Sequence, residues 1–410
     1  MIDVDSARAR ILASLQPLPT VAVPILDALG LVCADEIAAP YPLPRFANSA
    51  MDGFAVRTTD TSGARPDQPV RLRIIGEVFA GSCSSATLEP GTAIRITTGA
   101  PIPPGADAVV RFEETGNVSP VEHGDSVDIF RAPVPGEHIR QPGEDVQEGS
   151  FVLRPGDHLD PPAVALLAAL GHTKVRVHRR PRVAVVSTGD EVVPPGTPLR
   201  PGQIYDTNSF MLAAMVRWAG GEPISAGIAK DSQIDVHARL GSIGDADLIL
   251  TSGGVSVGEY DLVKQVLSKH DTIAFWQVQI KPGKPLAFGH IGSVPLIGLP
   301  GNPVAAAVAF VQFARPAIRK MLGHRHLDLP VVQARIRDRV ENRGGCRHFV
   351  RVWVEPDGEG RYCARVAGPQ GSGVLTSLVR ANGLLVIPEE MPVAEPGMVL
   401  PVQLFDWDIV

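Results

Sequence analysis

Cysteine is scarce in this chain, with four in 410 residues, and Cys33, Cys83, Cys346 and Cys363 are too widely spaced to form a C-x-x-C pair. That excludes a zinc knuckle and a dense disulfide framework, and it fits a reducing compartment. An excess of positive charge is also missing: 38 Lys and Arg stand against 44 Asp and Glu, a formal net charge of -6. There is no global basic field to attract nucleic acid or an anionic membrane, so any phosphate binding must be local. No apolar run approaches the ~20 residues that a membrane helix needs. The N-terminal residues scatter acids and arginines among apolar positions, unlike a secretory signal. A cytoplasmic enzyme is the expectation.

The length suggests two to four domains. Gly (41) and Pro (38) are plentiful but dispersed among apolar runs, so they read as turns rather than disorder. Apolar positions at helical spacing over 7–15 and 25–31 predict a helical N-terminal segment. From 43 to 143 short alternating runs bounded by Gly, Pro or Ser predict a small β domain. A helix over 161–170 resembles the N-terminal segment in composition, which makes the β domain an insertion. From Arg182 strands at 183–187 and 247–252 alternate with helices at 209–218, 262–269 and 304–322, the pattern of an α/β layer fold. Alternation returns over 331–336 and 349–354, predicting a C-terminal β domain. The fold class is therefore multi-domain α/β plus β, with a central three-layer α/β/α domain.

In open α/β sheets ligands bind beyond the carboxyl ends of the strands. Here the strand ends carry Ser187-Thr-Gly-Asp-Glu191, Thr251-Ser-Gly-Gly-Val-Ser-Val-Gly258 followed by Glu259 and Asp261, and Pro300-Gly-Asn-Pro303. Glycines let backbone N–H groups approach an anion, and a helix N-terminus adds a favourable dipole. The Gly-rich segment matches neither the P-loop nor the Rossmann fingerprint, and on its own it is equally well a tight strand-to-helix turn. The acids Asp190, Glu191, Asp206, Glu259 and Asp261 suit Mg2+, which takes one or two carboxylates plus phosphates and waters. Singly, Asp206 and Asp261 read as helix caps; several acids on one sheet edge favour ligation. Lys281-Pro-Gly-Lys284-Pro285 sets two ammonium groups on a rigid turn, suited to an oxyanion or to a solvated hairpin.

Histidine carries little. None of the eleven forms H-E-x-x-H, and His324-x-His326 reads as a solvated pair at a helix end rather than a zinc site. Gly254-Val-Ser256-Val-Gly258 formally matches a nucleophile elbow, but His290, His324 and His348 offer no convincing triad context.

Eight ordered blocks together resemble the molybdopterin molybdotransferase family, the bacterial MoeA proteins and the gephyrin C-terminal domain, over nearly the whole chain. They are Asn48-Ser-Ala-Met-Asp-Gly-Phe-Ala-Val56, Thr98-Gly-Ala-Pro with Gly105-Ala-Asp-Ala-Val-Val110, Gly143-Glu-Asp145, Ser187-Thr-Gly-Asp-Glu191, Gly202-Gln-Ile-Tyr-Asp-Thr-Asn208, Ser252-Gly-Gly-Val-Ser-Val-Gly258, Lys281-Pro-Gly-Lys-Pro285 and Gly298-Leu-Pro-Gly-Asn-Pro303. The resemblance implies a discontinuous N-terminal domain over 1–45 and 144–180, an inserted β domain over 46–143, a molybdopterin-binding α/β domain over 181–326 and a C-terminal β domain over 327–410. It implies molybdenum insertion into adenylylated molybdopterin with release of AMP, dependent on Mg2+. The subunit would be a homodimer with its cleft between the α/β domain of one copy and the β insertion of the other.

On that resemblance Asp52, Thr98 and Asp145 reach the cleft from the partner. Glu191, Asp206 and Asp261 line it and hold Mg2+. Ser252, Gly253, Gly254 and Ser256, with Pro300, Gly301, Asn302 and Pro303, bind the pterin nucleotide. Lys281, Lys284 and Pro285 take molybdate, joined by Arg351 or Arg347 and by Ser372 and Ser377. A pterin adenylyltransferase and molybdoenzyme acceptors are the implied partners, with no nucleic acid and no membrane. The alternatives are a related pterin adenylyltransferase, a nucleotide pyrophosphatase, or a non-catalytic gephyrin-like scaffold. Two departures stand out: Arg140-Gln-Pro-Gly-Glu-Asp145 lacks the further arginines that family members often carry there, and Phe54 stands where Tyr is common.

Overall fold

The computed structural model describes residues 1–116, 125–230, 232, 235, 238–239, 241, 243–253 and 274–405. They form two compact units: Met1–Asp35 with Pro155–Ala168 and His172–Val410, and Glu36–Arg154 with Ala169–Gly171. The helix expected over 262–269 lies outside the described residues. Among those described, no helix is long and apolar enough to cross a membrane.

In the first unit the helix Val4–Ala13 opens on Asp3, whose carboxylate accepts the Ser6 N–H at 2.7 Å, and it buries Val4, Ala7 and Ile11 along one face. The second expected N-terminal helix is a run of turns instead. Leu26 and Leu29 stay exposed, Gly30 sits at φ 77°, and its N–H is drawn to Leu159 O. With Ala28 and Leu31 buried but Leu26 and Leu29 left in solvent, helical spacing alone does not hold a helix of seven residues together.

The α/β sheet runs Glu222–Ala229, Arg182–Thr188, Leu248–Ser252, Val294–Leu299, Pro285–Ile291 and Ala274–Gln277. Its first four strands are parallel and its last two antiparallel. Ala184, Val186, Ile249 and Leu296 pack into one core beside it, and the helix Asn208–Trp218 buries Leu212, Met215 and Val216. The long helix expected over 304–322 begins as Pro303–Ala309, widens into a π-helical turn over Phe310–Ala314 and resumes as Arg315–Met321. Pro316 has no N–H to donate back into the ladder, which accounts for the widening just before it.

The C-terminal strands Arg347–Pro356, Tyr362–Val366, Val331–Ile336, Val399–Leu404 and Gly383–Ile387 pair in that order, and the last returns to the first. The closed barrel fills with Val350, Val352, Leu385, Ile387 and Val402 and leaves no free sheet edge. The short strand Ile280–Lys281 pairs parallel with its end, Ile280 opposite Arg347 and Lys281 opposite His348.

The second unit is built on a five-stranded sheet: Ala108–Arg111, Gly53–Val56, Thr92–Ile96, Val70–Val78 and Ser126–Ile129. Phe54 is fully buried against Phe112, ring centroids 5.5 Å apart, so the ring at this position serves packing. A Cβ on Gly53 would come 1.9 Å from Val110 O, which explains the glycine that follows Asp52.

His324 does not stand in solvent as expected. It stacks on His158 at 5.8 Å, and burial with Arg319 nearby drives its pKa from 6.5 to about 3; His158 is lowered in the same sense. Both imidazoles are neutral in the fold, whereas the unfolded chain binds their protons below about 6.5. This contribution to stability is complete above pH 6.5 and is lost as pH falls toward 3. Urea unfolding should show wild type losing more stability than His324→Gln between pH 7 and pH 4, by about 1–2 kcal/mol after allowance for partial solvent access. Parallel pH profiles would overturn this account.

Candidate functional site

The strand Arg182–Thr188 leads through its helix to Glu222–Ala229 on one flank, whereas Leu248–Ser252 has Val294–Leu299 on the opposite flank. The strand order therefore reverses between Arg182–Thr188 and Leu248–Ser252, and beyond their carboxyl ends opens a cleft of about 1120 Å³. Such a switch point is where α/β sheets bind ligands.

Four loops reach this cleft. From the first come Ser187, Thr188, Gly189 and Glu191; from the second, Ser252 and Gly253; from the third, Pro300, Gly301, Asn302 and Pro303; the fourth is the Lys281–Pro285 turn. Glycine is required where these backbones crowd. Gly253 has φ 92°, and a Cβ there would lie 2.8 Å from Thr188 Oγ1; a Cβ on Gly189 would lie 2.6 Å from Glu191 Oε2.

Asp206 also lines the cleft but is nearly buried, and its Oδ1 accepts Ser187 Oγ–H at 2.9 Å and the Ser209 N–H at 3.0 Å. It therefore caps the helix and faces the ligand space together. Short parallel pairing of Val192–Val193 with Ile204–Tyr205 brings the Glu191 and Asp206 loops side by side. Asn208 closes the Gly202–Asn208 block without a chemical signal of its own in the sequence. Its amide donates to Ser252 Oγ and to Gly301 O, both at 2.7 Å, tying two of the ligand loops to one helix start.

Lys281 and Lys284 are exposed in this cleft, and neither ammonium has an ion-pair partner among the described residues. The barrel closes the far wall with Arg343, Gly344, Cys346, Gln370, Gly371 and Ser372. Only Ser372 of these was singled out from the sequence. The consecutive positive-φ glycines Gly344 and Gly345 mark a tight turn that could have signalled the wall.

Arg351 and Ser377 lie behind that wall rather than on it. Arg351 is fully buried, donates to Ser377 Oγ, Pro369 O and Gly371 O, each at 3.1 Å, and has no carboxylate partner among the described residues; its pKa falls to about 10 through burial. Arg347 is occupied elsewhere, bidentate on Asp5 at 2.8 Å and paired with Glu389.

Asp52, Thr98 and Asp145 belong to the other unit. There the Thr98 N–H donates to Asp52 Oδ1 at 2.7 Å, and the Asp145 N–H to Leu43 O at 3.0 Å. Gly254, Ser256, Glu259 and Asp261 lie outside the described residues. Among those described, no three His, Cys, Asp or Glu side chains gather as a metal cluster.

Family models match along the chain in order: the MoeA N-terminal region (domain I and II) at 2–171, a probable molybdopterin binding domain at 184–320, and the MoeA C-terminal region (domain IV) at 333–405. The chain is 43% identical over 397 residues to molybdopterin molybdenumtransferase 2 of Mycobacterium tuberculosis, covering 95% of each. It is 37% identical over 409 residues to molybdopterin molybdenumtransferase of Haemophilus influenzae, covering 99% of each. Among solved structures, the molybdopterin biosynthesis MoeA protein of Pyrococcus horikoshii OT3 is similar at a TM-score of 0.84 and 32% identity, over 99% of this chain and 100% of that one.

Proposed function

The chain belongs to the molybdopterin molybdenumtransferase (MoeA) family, and from that membership we propose that it inserts molybdenum from molybdate into adenylylated molybdopterin and releases AMP. The observation that carries the reading is the meeting of two lysines, without an ion-pair partner among the described residues, with two carboxylates in one cleft at the sheet's switch point. An acidic protein gathers bare ammonium groups in a recess where an anion is to be held.

The Lys281 and Lys284 ammonium groups hold the oxyanion against the wall at Ser372, and Ser252, Gly253 and the 300–303 loop seat the pterin nucleotide. Glu191 and Asp206 fit Mg2+, because two hard carboxylates with substrate phosphates and water complete its usual oxygen shell. Once bound, Mg2+ supplies charge neutralisation along the phosphate bridge. As water attacks the pterin-side phosphorus and its bond to the AMP oxygen breaks, with the water's proton passing to solvent, the lysines stabilise the negative charge that grows on the departing AMP, while Asn208 keeps the Ser252 and Gly301 loops in register. We place the protein in the cytoplasm as a homodimer, in which Asp52, Thr98 and Asp145 come from the second copy.

The purified protein should release AMP from adenylylated molybdopterin only when molybdate and Mg2+ are both supplied, as measured by chromatography of the nucleotide. Undiminished release in EDTA would remove the metal from the reading. Release without molybdate would replace the transferase by a pyrophosphatase.

A further inference from the structure

His348 and Arg351 are buried behind the cleft wall and Lys281 stands in the cleft before it, and no carboxylate among the described residues pairs with any of the three. His348 is only 3% exposed, and neither ring nitrogen has a hydrogen-bond partner. A neutral imidazole carries one donor and one acceptor, so both needs of this ring go unmet in either tautomer. Arg351 is fully buried, and its Nη1 is likewise unpartnered. Lys281 is the register partner of His348 across a parallel ladder, which sets the two side chains on the same face.

The groups around the ring decide its charge. Lys281 acts on it from the paired strand Ile280–Lys281 and Arg351 from its own strand; with burial, which is the larger cause, they drive the imidazole down to about 4. On the other flank the strand Gly383–Ile387 opposes it with Ile387, which is apolar. Arg347 is neutralised by Asp5 and Glu389, and the Cys346 thiol donates to Gly344 O. Every charge among the described residues that bears on His348 is therefore positive. A dianion beside Lys281 offsets that field.

We propose that His348 is the proton-taking member of the oxyanion site: it is neutral before the anion enters, and it binds one proton as a tetrahedral dianion settles beside Lys281. The added positive charge then appears only when there is negative charge to hold it, and the empty cleft is spared one more cation beside those it already carries. Because His348 sits behind the wall, it acts through the field on the anion and on Lys281. It is a positioning residue in that sense. The inference rests on reading the cleft as an oxyanion site.

The test is calorimetric titration of sodium molybdate into the full-length protein between pH 6 and pH 8, in buffers of different ionisation heats. Wild type should take up close to one proton per molybdate bound near pH 6, and affinity should rise up to tenfold for each pH unit lowered in the range where the proton is taken up. His348→Gln should still bind molybdate at pH 8 but take up no proton and lose the pH dependence. A merely structural role for His348 would lower affinity at every pH without changing the proton count. Binding by wild type without proton uptake, or uptake that persists in His348→Gln, would overturn the inference and leave the oxyanion reading standing. Failure of wild type to bind molybdate at any pH would overturn both. If His348→Gln does not fold, the 15N shifts of the His348 ring in labelled wild type decide: movement to the imidazolium position on adding molybdate at pH 6 supports the proposal, and no movement rejects it.

Discussion

Replacing Lys281 and Lys284 together by alanine should lower kcat/KM on the order of 10²- to 10³-fold, the scale on which preorganised charge at a reacting centre acts. Both side chains are exposed and free of ion pairs among the described residues, so thermal unfolding should stay within about 0.5 kcal/mol of wild type. The loss would therefore lie in chemistry and anion capture rather than in folding. Resolved into its parts, the double variant should show a raised molybdate requirement as well as a lowered kcat, because the same ammonium groups hold the incoming oxyanion and meet the charge on the departing nucleotide. Arginine at both positions should recover little of the rate. It keeps the charge but spreads it over a larger planar fork in place of a compact ammonium, and an exchange of the two is not conservative where a point charge is aimed. Activity near wild type in the alanine variant would reject the cleft as the anion site, whatever the family's chemistry.

The second large effect is one of recovery. Asp52→Ala and Glu191→Ala should each be inactive, yet a mixture allowed to exchange subunits should regain activity. Asp52 and Glu191 are both exposed and lie in different compact units, so neither change should compromise folding. If each cleft takes Glu191 from one copy and Asp52 from the other, a mixed dimer holds one intact and one doubly damaged site. Random pairing makes half of the dimers mixed, so recovery should approach about a quarter of wild type for an isologous dimer. Mass spectrometry of differently tagged subunits establishes that exchange has occurred. Mixed dimers that stay inactive would put both acids in the same subunit's site.

The expectations that departed from the structure share a cause. The apolar spacing at 25–31 is genuine, but Leu26 and Leu29 find nothing to cover them, and the segment settles into turns. His324 looked solvated beside His326 because its stacking partner, His158, is remote in sequence. Family resemblance groups Arg351 and Ser377 with Ser372 in one anion pocket; Ser372 reaches the cleft, while the other two bond to each other behind its wall. Periodicity and turn chemistry report what a segment prefers locally, not what will lie against it.

The amino-acid order by itself determined the strands Arg182–Thr188 and Leu248–Ser252 and the helix Asn208–Trp218, since the apolar runs at 183–187 and 247–252 are long enough to declare a buried strand and end at glycines that stop them. It also determined that the acids, hydroxyls and glycines fall at the carboxyl ends of those strands, because they follow each run directly. The tertiary structure decided the rest. The lysine turn enters the cleft because Ile280–Lys281 pairs with a barrel strand far along the chain, and the wall at 370–372 is held by hydrogen bonds to a buried Arg351. Pairings of this kind depend on the register and burial of remote strands, and register is set by what both partners bury, which no window of local sequence contains.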